Sequence, residues 1–178
     1  MAGCPLSAEL RGLDGEYFEA DLPLLVQRRG MAYWHDDHVR ILDRRRLPHE
    51  QVELVCRSVE DVAVAIEEMA IQGAFTLSLA AGYGMALAIV DPATAVSDGR
   101  LAAQRLVATR PTGLALKRML EGIERTIAEA HAQGHDIRAA IVGAVDAKAQ
   151  QWARQALAEG TPSQGKRRLA LLPPRRRA

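Results

Sequence analysis

Cysteine is scarce: the 178-residue chain has two, Cys4 and Cys56. Two thiols by themselves build neither a disulfide framework nor a four-ligand zinc site, so they read as ordinary thiols of a reducing, cytoplasmic compartment. Aromatic residues are also few, 4% of the chain, with two Phe, two Trp and three Tyr. A core short of rings is filled by Ala, Leu, Ile and Val, which favours packed helices over an aromatic-rich β-sandwich. Long apolar runs are missing as well. The longest, Phe75–Val90, would reach roughly 24 Å as a helix against a hydrocarbon core of about 30 Å, and Thr76, Ser78, Gly82 and Gly84 interrupt it. It reads as a buried helix, and no membrane partner is expected. The N-terminus has no charged-then-apolar pattern of the kind that directs secretion.

What remains is the composition of a folded domain, 48% hydrophobic and 25% charged, with enough chain to bury a core. The net charge of +1 conceals an asymmetry. Residues 161–178 carry Lys166, Arg167, Arg168, Arg175, Arg176 and Arg177 and no acid, which leaves 17 basic against 22 acidic residues before them. An acidic domain over residues 1–160 is therefore expected, followed by a basic Pro/Arg-rich tail with no periodic face to bury. The tail reads as a disordered solvated terminus or as a GC-rich gene translated out of frame. A nucleic-acid arm is the weaker reading, because the aromatic interleaving that stacks on bases is lacking.

Residues 1–57 read as short strands and turns. Met31–Trp34 and Val39–Asp43 flank His35-Asp36-Asp37-His38, a polar cluster suited to a hairpin turn, and Val52, Leu54 and Cys56 alternate as a third strand. Residues 58–160 read as helical. Ser58-Val59-Glu60-Asp61 resembles a capping box, Val62, Ile66 and Met69 line one face, and Gly73 ends the run. Phe75–Val90 follows, its two glycines explained by close helix packing. Leu101–Ala108 forms another helix, and Pro111 opens the next, with Leu116, Leu120, Ile123 and Ile127 inward. Gly134 stops it, Asp136 caps the last, and Ile137, Ile141, Val145 and Trp152 form the final face. The expected fold is mainly α, of the α+β class: a small antiparallel β ribbon feeding a bundle of about five helices.

Two stretches carry the chemistry. In Thr109-Arg110-Pro111-Thr112, a guanidinium and two hydroxyls beside a helix start make a phosphate cradle. In Gln72-Gly73-Ala74, a glycine lets a ligand approach the first N–H groups of the buried helix. Each alone reads as readily as a surface charge or a helix stop. Other polar groups are weaker. The HDDH cluster suits a turn better than a metal, His131 and His135 are separated by a helix-breaking glycine, Cys56 reads as core, and Asp43 is either structural or a ligand contact.

In order, Trp34, Ile41–Pro48 (ILDRRRLP), Met69–Ala74 (MAIQGA), Ala80–Gly84 (AAGYG) and Ala108–Thr112 (ATRPT) resemble one family. It is that of methylthioribose-1-phosphate isomerase and the related regulatory subunits of translation initiation factor 2B. The family reads approximately LDQ-x-LLP, M-x-VRGAPAIG-x-AAAYG and TRPTAVNL in the same order, and the resemblance covers about residues 31–130. It implies the opening of an aldose 1-phosphate to its ketose in methionine salvage. It also implies a ribbon-plus-helix N-terminal domain joined to a Rossmann-like C-terminal domain, which this sequence does not show.

The departures limit what carries over. Gln72 stands where the family has a substrate-contacting arginine, Phe75 where it has proline, and Ala115 where it has asparagine. Gly73, Ala74 and Arg110 match substrate-binding positions. The family's catalytic cysteine, in a THCNAG-like motif, and its later aspartate have no counterpart after Ala130, and Cys4 and Cys56 lie too early to replace the cysteine. The resemblance thus implies a phosphosugar-binding half with Gln72, Gly73, Ala74 and Arg110 at the ligand. No catalytic residue, metal or cofactor is expected, and the chain is expected to be inactive alone. A separate C-terminal polypeptide or a second copy is the expected protein partner. The alternative is a non-catalytic regulatory module akin to the initiation-factor subunits.

Overall fold

A computed structural model describes residues 30–159. The expected boundary at 160, the basic tail and Cys4 lie outside the described residues. Strands β1 (Ala32–His35), β2 (His38–Leu42) and β3 (Glu53–Cys56) form an antiparallel sheet in the order β1-β2-β3. The hairpin register pairs Ala32 with Ile41 and His35 with His38, so Asp36 and Asp37 alone make the turn. Asp36 takes a φ of +53°, the left-handed conformation that a two-residue hairpin loop requires and that Asp tolerates. Val39, Ile41 and Cys56 are buried on the inner face. On the other, Tyr33 and Arg40 both donate to the Glu53 carboxylate, at 2.8 and 2.9 Å.

Five helices follow: α1 (Val59–Glu67), α2 (Ala74–Ala88), α3 (Ala95–Thr109), α4 (Leu114–Gln133) and α5 (Ile137–Glu159). The mainly helical α+β architecture read from the sequence is the one observed. Ser58 and Asp61 make the reciprocal capping box that starts α1. Central helix α2 packs against the other four helices and against β1 and β2, which is why its sequence is apolar on every side. A Cβ added at Gly82 would stand 2.8 Å from Val145 Cγ2, and one at Gly84 would stand 3.3 Å from Val62 Cγ1. The glycines therefore admit α5 and α1 to α2, as expected. Gly134, at φ +69°, closes α4, and the Asp136 carboxylate accepts from the Ala139 N–H at 3.0 Å to cap α5. His131 and His135 are both exposed.

Four assignments differ from the sequence reading. Helix α1 ends at Glu67, and Met69 is not on its inner face but leaves it at φ +62°, 45% exposed. Gly73, expected to end that helix, is the N-cap of α2 at φ +94°. Helix α3 begins at Ala95 rather than Leu101. Pro111 does not open α4. It occupies a turn closed by the Gly113 N–H on the Arg110 carbonyl at 2.8 Å, and α4 starts at Leu114. Proline second and glycine fourth is a preferred β-turn pattern, and here it outweighs proline's preference for a first helical turn.

Candidate functional site

Three short segments that the sequence singled out are brought together by the fold. The turn after β2 is joined to the α1–α2 loop by the Arg44 N–H, which donates to the Ala70 carbonyl at 2.8 Å. Buried Asp43 shapes that turn, accepting from the Arg45 N–H, Nε and Nη2 at 3.0, 2.9 and 2.8 Å. The Arg45 guanidinium holds the Asp43 carboxyl below the usual carboxylate range and reaches on to Glu68 at 2.6 Å. Asp43 is thereby a structural residue with its oxygens engaged.

The third segment delivers Arg110. Its Nη2 donates to the Ile66 carbonyl at 3.2 Å and to Met69 Sδ. Arg110 therefore lies across the end of α1, at the start of the loop that runs on through buried Ala70 and Ile71 to Gln72 and Gly73. Gln72, Gly73 and Ala74 are exposed, and the Gln72 amide donates to the Met69 carbonyl at 3.3 Å. No side chain caps α2, so the N–H groups of its first turn, which lack intrahelical partners, face outward at this place. One part of the expected cradle is not available. The Thr109 hydroxyl is buried and donates to the Leu106 carbonyl at 2.6 Å.

The arrangement around α1 was not legible in the sequence. Its last turn contains no basic residue, and arginines from elsewhere complement it. Arg105 of α3 grips Glu60 at 2.7 and 2.6 Å and Glu67 at 2.6 and 3.2 Å. Arg45 takes Glu68, and Arg110 takes the Ile66 carbonyl. The Arg105 guanidinium holds the carboxyls of Glu60 and Glu67 below their usual values. A depressed carboxyl contributes stability that is present above its unfolded value, near about 4, and is lost as pH falls through the depressed one. Acid is therefore expected to lower the melting midpoint from about pH 4 downward. Arg105→Met should make that acid-side fall shallower; equal slopes in the two proteins would show that the clip carries none of it.

Other groups fall outside this site. Cys56 is buried, and desolvation, with Asp61 nearby, pushes its thiol up to about 11, the opposite of an activated nucleophile. His38 is engaged in the hairpin, with Nδ1 at 2.9 Å from Asp37 and Nε2 accepting from Arg40 Nε at 3.3 Å. Among the described residues no three His, Cys, Asp or Glu side chains are grouped to hold a metal ion. Among them, too, no helix is long and apolar enough to cross a membrane. Two open clefts, of about 590 Å³ between α3 and α4 and about 790 Å³ beside the hairpin tip and the start of α5, are not lined by Gln72, Gly73, Ala74 or Arg110.

No family model matches the chain. A methylthioribose-1-phosphate isomerase from Alkalilimnicola ehrlichii is 37% identical over 103 residues, 53% of this chain and 29% of that protein. The structure resembles that of 5-methylthioribose 1-phosphate isomerase from Pyrococcus horikoshii, with a TM-score of 0.61 and 26% identity over 76% of this chain and 40% of the other. It also resembles the delta subunit of translation initiation factor eIF-2B from A. fulgidus, with a TM-score of 0.56 and 27% identity over 71% of this chain and 37% of the other. The chain thus spans less than half the length of each.

Proposed function

Because the chain is similar, over the part that aligns, to methylthioribose-1-phosphate isomerases and an initiation factor 2B subunit, we propose that it belongs to their family and binds a phosphorylated sugar at Gln72, Gly73, Ala74 and Arg110. The observation that carries this reading is the state of Arg110. Its two contacts are a carbonyl and a thioether, acceptors that a phosphate dianion replaces with a stronger, charge-assisted bond. The outward N–H groups of α2 add partial positive charge on the same loop. Gly73, with no side chain, leaves room for the ligand beside the backbone.

Binding is only part of an isomerase. Moving a proton between adjacent sugar carbons needs an acid or base within about 2.6–3.2 Å of the substrate. The described residues supply no such group at this site, and Cys56 is sealed in the core. On this reading the described residues bind the phosphosugar, and the proton-transferring groups of an isomerase lie outside them.

Titration calorimetry with methylthioribose 1-phosphate tests this. Arg110→Ala is expected to weaken binding by about 10- to 100-fold, the 1.5–3 kcal/mol of a hydrogen bond to a charged group. An unaltered chain that does not bind overturns the reading. Assay of the same chain for isomerisation should give no turnover; measurable ketose would overturn the assignment of proton transfer to groups outside the described residues. Gln72 favours a second reading, because a neutral amide in place of the family's arginine removes one phosphate contact. In that case the domain is a regulatory module, and calorimetry with the phosphosugar gives no heat.

A further inference from the structure

Four methionines lie among the described residues, and three are sealed in the core. Met31, Met85 and Met119 are 1%, 0% and 8% exposed, against 45% for Met69. A thioether is oxidised only as oxidant reaches it, so exposure singles out Met69. Its surroundings give that oxidation a consequence. Met69 sits at φ +62° just past the end of α1, a conformation that a non-glycine residue keeps only when its neighbours hold it. Its sulfur faces the Arg110 guanidinium, which donates to it and to the Ile66 carbonyl. A thioether is a weak acceptor, and a sulfoxide oxygen is a polar and much stronger one.

We infer that Met69 is a reversible oxidation site whose sulfoxide retains the Arg110 guanidinium and so withdraws it from an anionic ligand. In the oxidising step a hydroperoxide transfers its distal oxygen to the Sδ lone pair. The S–O bond forms as the O–O bond breaks, the sulfur loses two electrons, and the peroxide is reduced to water or an alcohol. A methionine sulfoxide reductase reverses the change. The inhibitory consequence rests on the proposed role of Arg110 in ligand binding, whereas the oxidation and its capture of Arg110 do not.

Limited hydrogen peroxide treatment followed by peptide mass spectrometry provides the first readout. Met69 is expected to gain oxygen at least about tenfold faster than Met31, Met85 or Met119; comparable rates at the four would overturn the inference. The second readout is thermal unfolding. Oxidation should shift the melting midpoint of the unaltered protein relative to Arg110→Ala and to Arg110→Lys, in which the fork of donors is lost. An identical shift in all three shows that the sulfoxide does not engage Arg110. The third is calorimetry with methylthioribose 1-phosphate, where oxidation should weaken binding by about fivefold, with reductase restoring it and Met69→Leu indifferent to peroxide. Binding that is unchanged by oxidation overturns the switch. If the reduced protein does not bind, the proposed function fails, and the first two readouts still decide whether Met69 and Arg110 are coupled.

Discussion

Gly82→Val is expected to destabilise the protein by about 3 kcal/mol, the upper end of the usual cost of overpacking a core. The reason is the crossing of α2 and α5. A Cβ at this position stands 2.8 Å from Val145 Cγ2 and 3.4 Å from Met119 Cγ, and the two methyl groups of valine extend beyond it. The helix is already tied to the rest of the core by Tyr83, fully buried, whose hydroxyl donates to Asp146 of α5 at 2.5 Å. Moving α5 outward to admit the side chain therefore strains that bond too. The gain in helix propensity over glycine, a few tenths of a kcal/mol for valine, is too small to offset this. Val145→Ala in the same chain removes the group in the way and is expected to recover a large part of the loss. Gly122→Ala serves as the contrast: no atom lies within 4 Å of its added Cβ, so it should stabilise by up to about 1 kcal/mol. Urea unfolding of the four proteins decides the matter. A Gly82→Val protein as stable as its parent, or one that Val145→Ala leaves equally unstable, rules out steric exclusion as the reason for the glycine.

The same residues show which parts of the fold a sequence exposes. Helix α2 was legible because its whole surface is apolar, and the start of α1 because Ser58 and Asp61 lie three residues apart, within reach of one another's backbone. The end of α1 was not. Met69 adopts a conformation that sequence rules reserve for Gly or Asn, and what holds it arrives from 41 residues away in Arg110. The arginines that clamp this helix end are equally remote, Arg45 from Glu68 by 23 residues and Arg105 from Glu67 by 38. No local pattern announces such pairs. For the site, Gln72, Gly73, Ala74 and Arg110 could be named because they recur as motifs in a family. The contact between their segments could not be named, because Arg110 reaches the Ile66 carbonyl and the Met69 sulfur, and neither a backbone carbonyl, which every residue has, nor a lone methionine announces such a partner. The Pro111 turn failed as a helix start for a related reason. Proline suits the second position of a turn as well as the first turn of a helix, and only Gly113 two residues on distinguishes them.

Ile66→Ala should cost about 2–5 kcal/mol and lower the melting midpoint by roughly 10 °C or more. Ile66 is 0% exposed on the inner face of α1, whereas Val64, two residues earlier on the same helix, is 38% exposed. Val64→Ala should stay within about 0.5 kcal/mol of the parent, so the pair separates burial from any general weakness of a nine-residue helix. Ile66 also has a second role, through its backbone. Its carbonyl is the oxygen that positions Arg110, and a cavity beneath it lets the end of α1 shift. Ile66→Val, which should cost only about 0.5–1.5 kcal/mol, keeps the chain folded while loosening that support. It is therefore expected to weaken phosphosugar binding modestly in calorimetry, with Val64→Ala as the unaffected control. The two readouts come apart if the core and the site are independent: a stability loss in Ile66→Val with unaltered affinity would mean that the end of α1 does not set the position of Arg110.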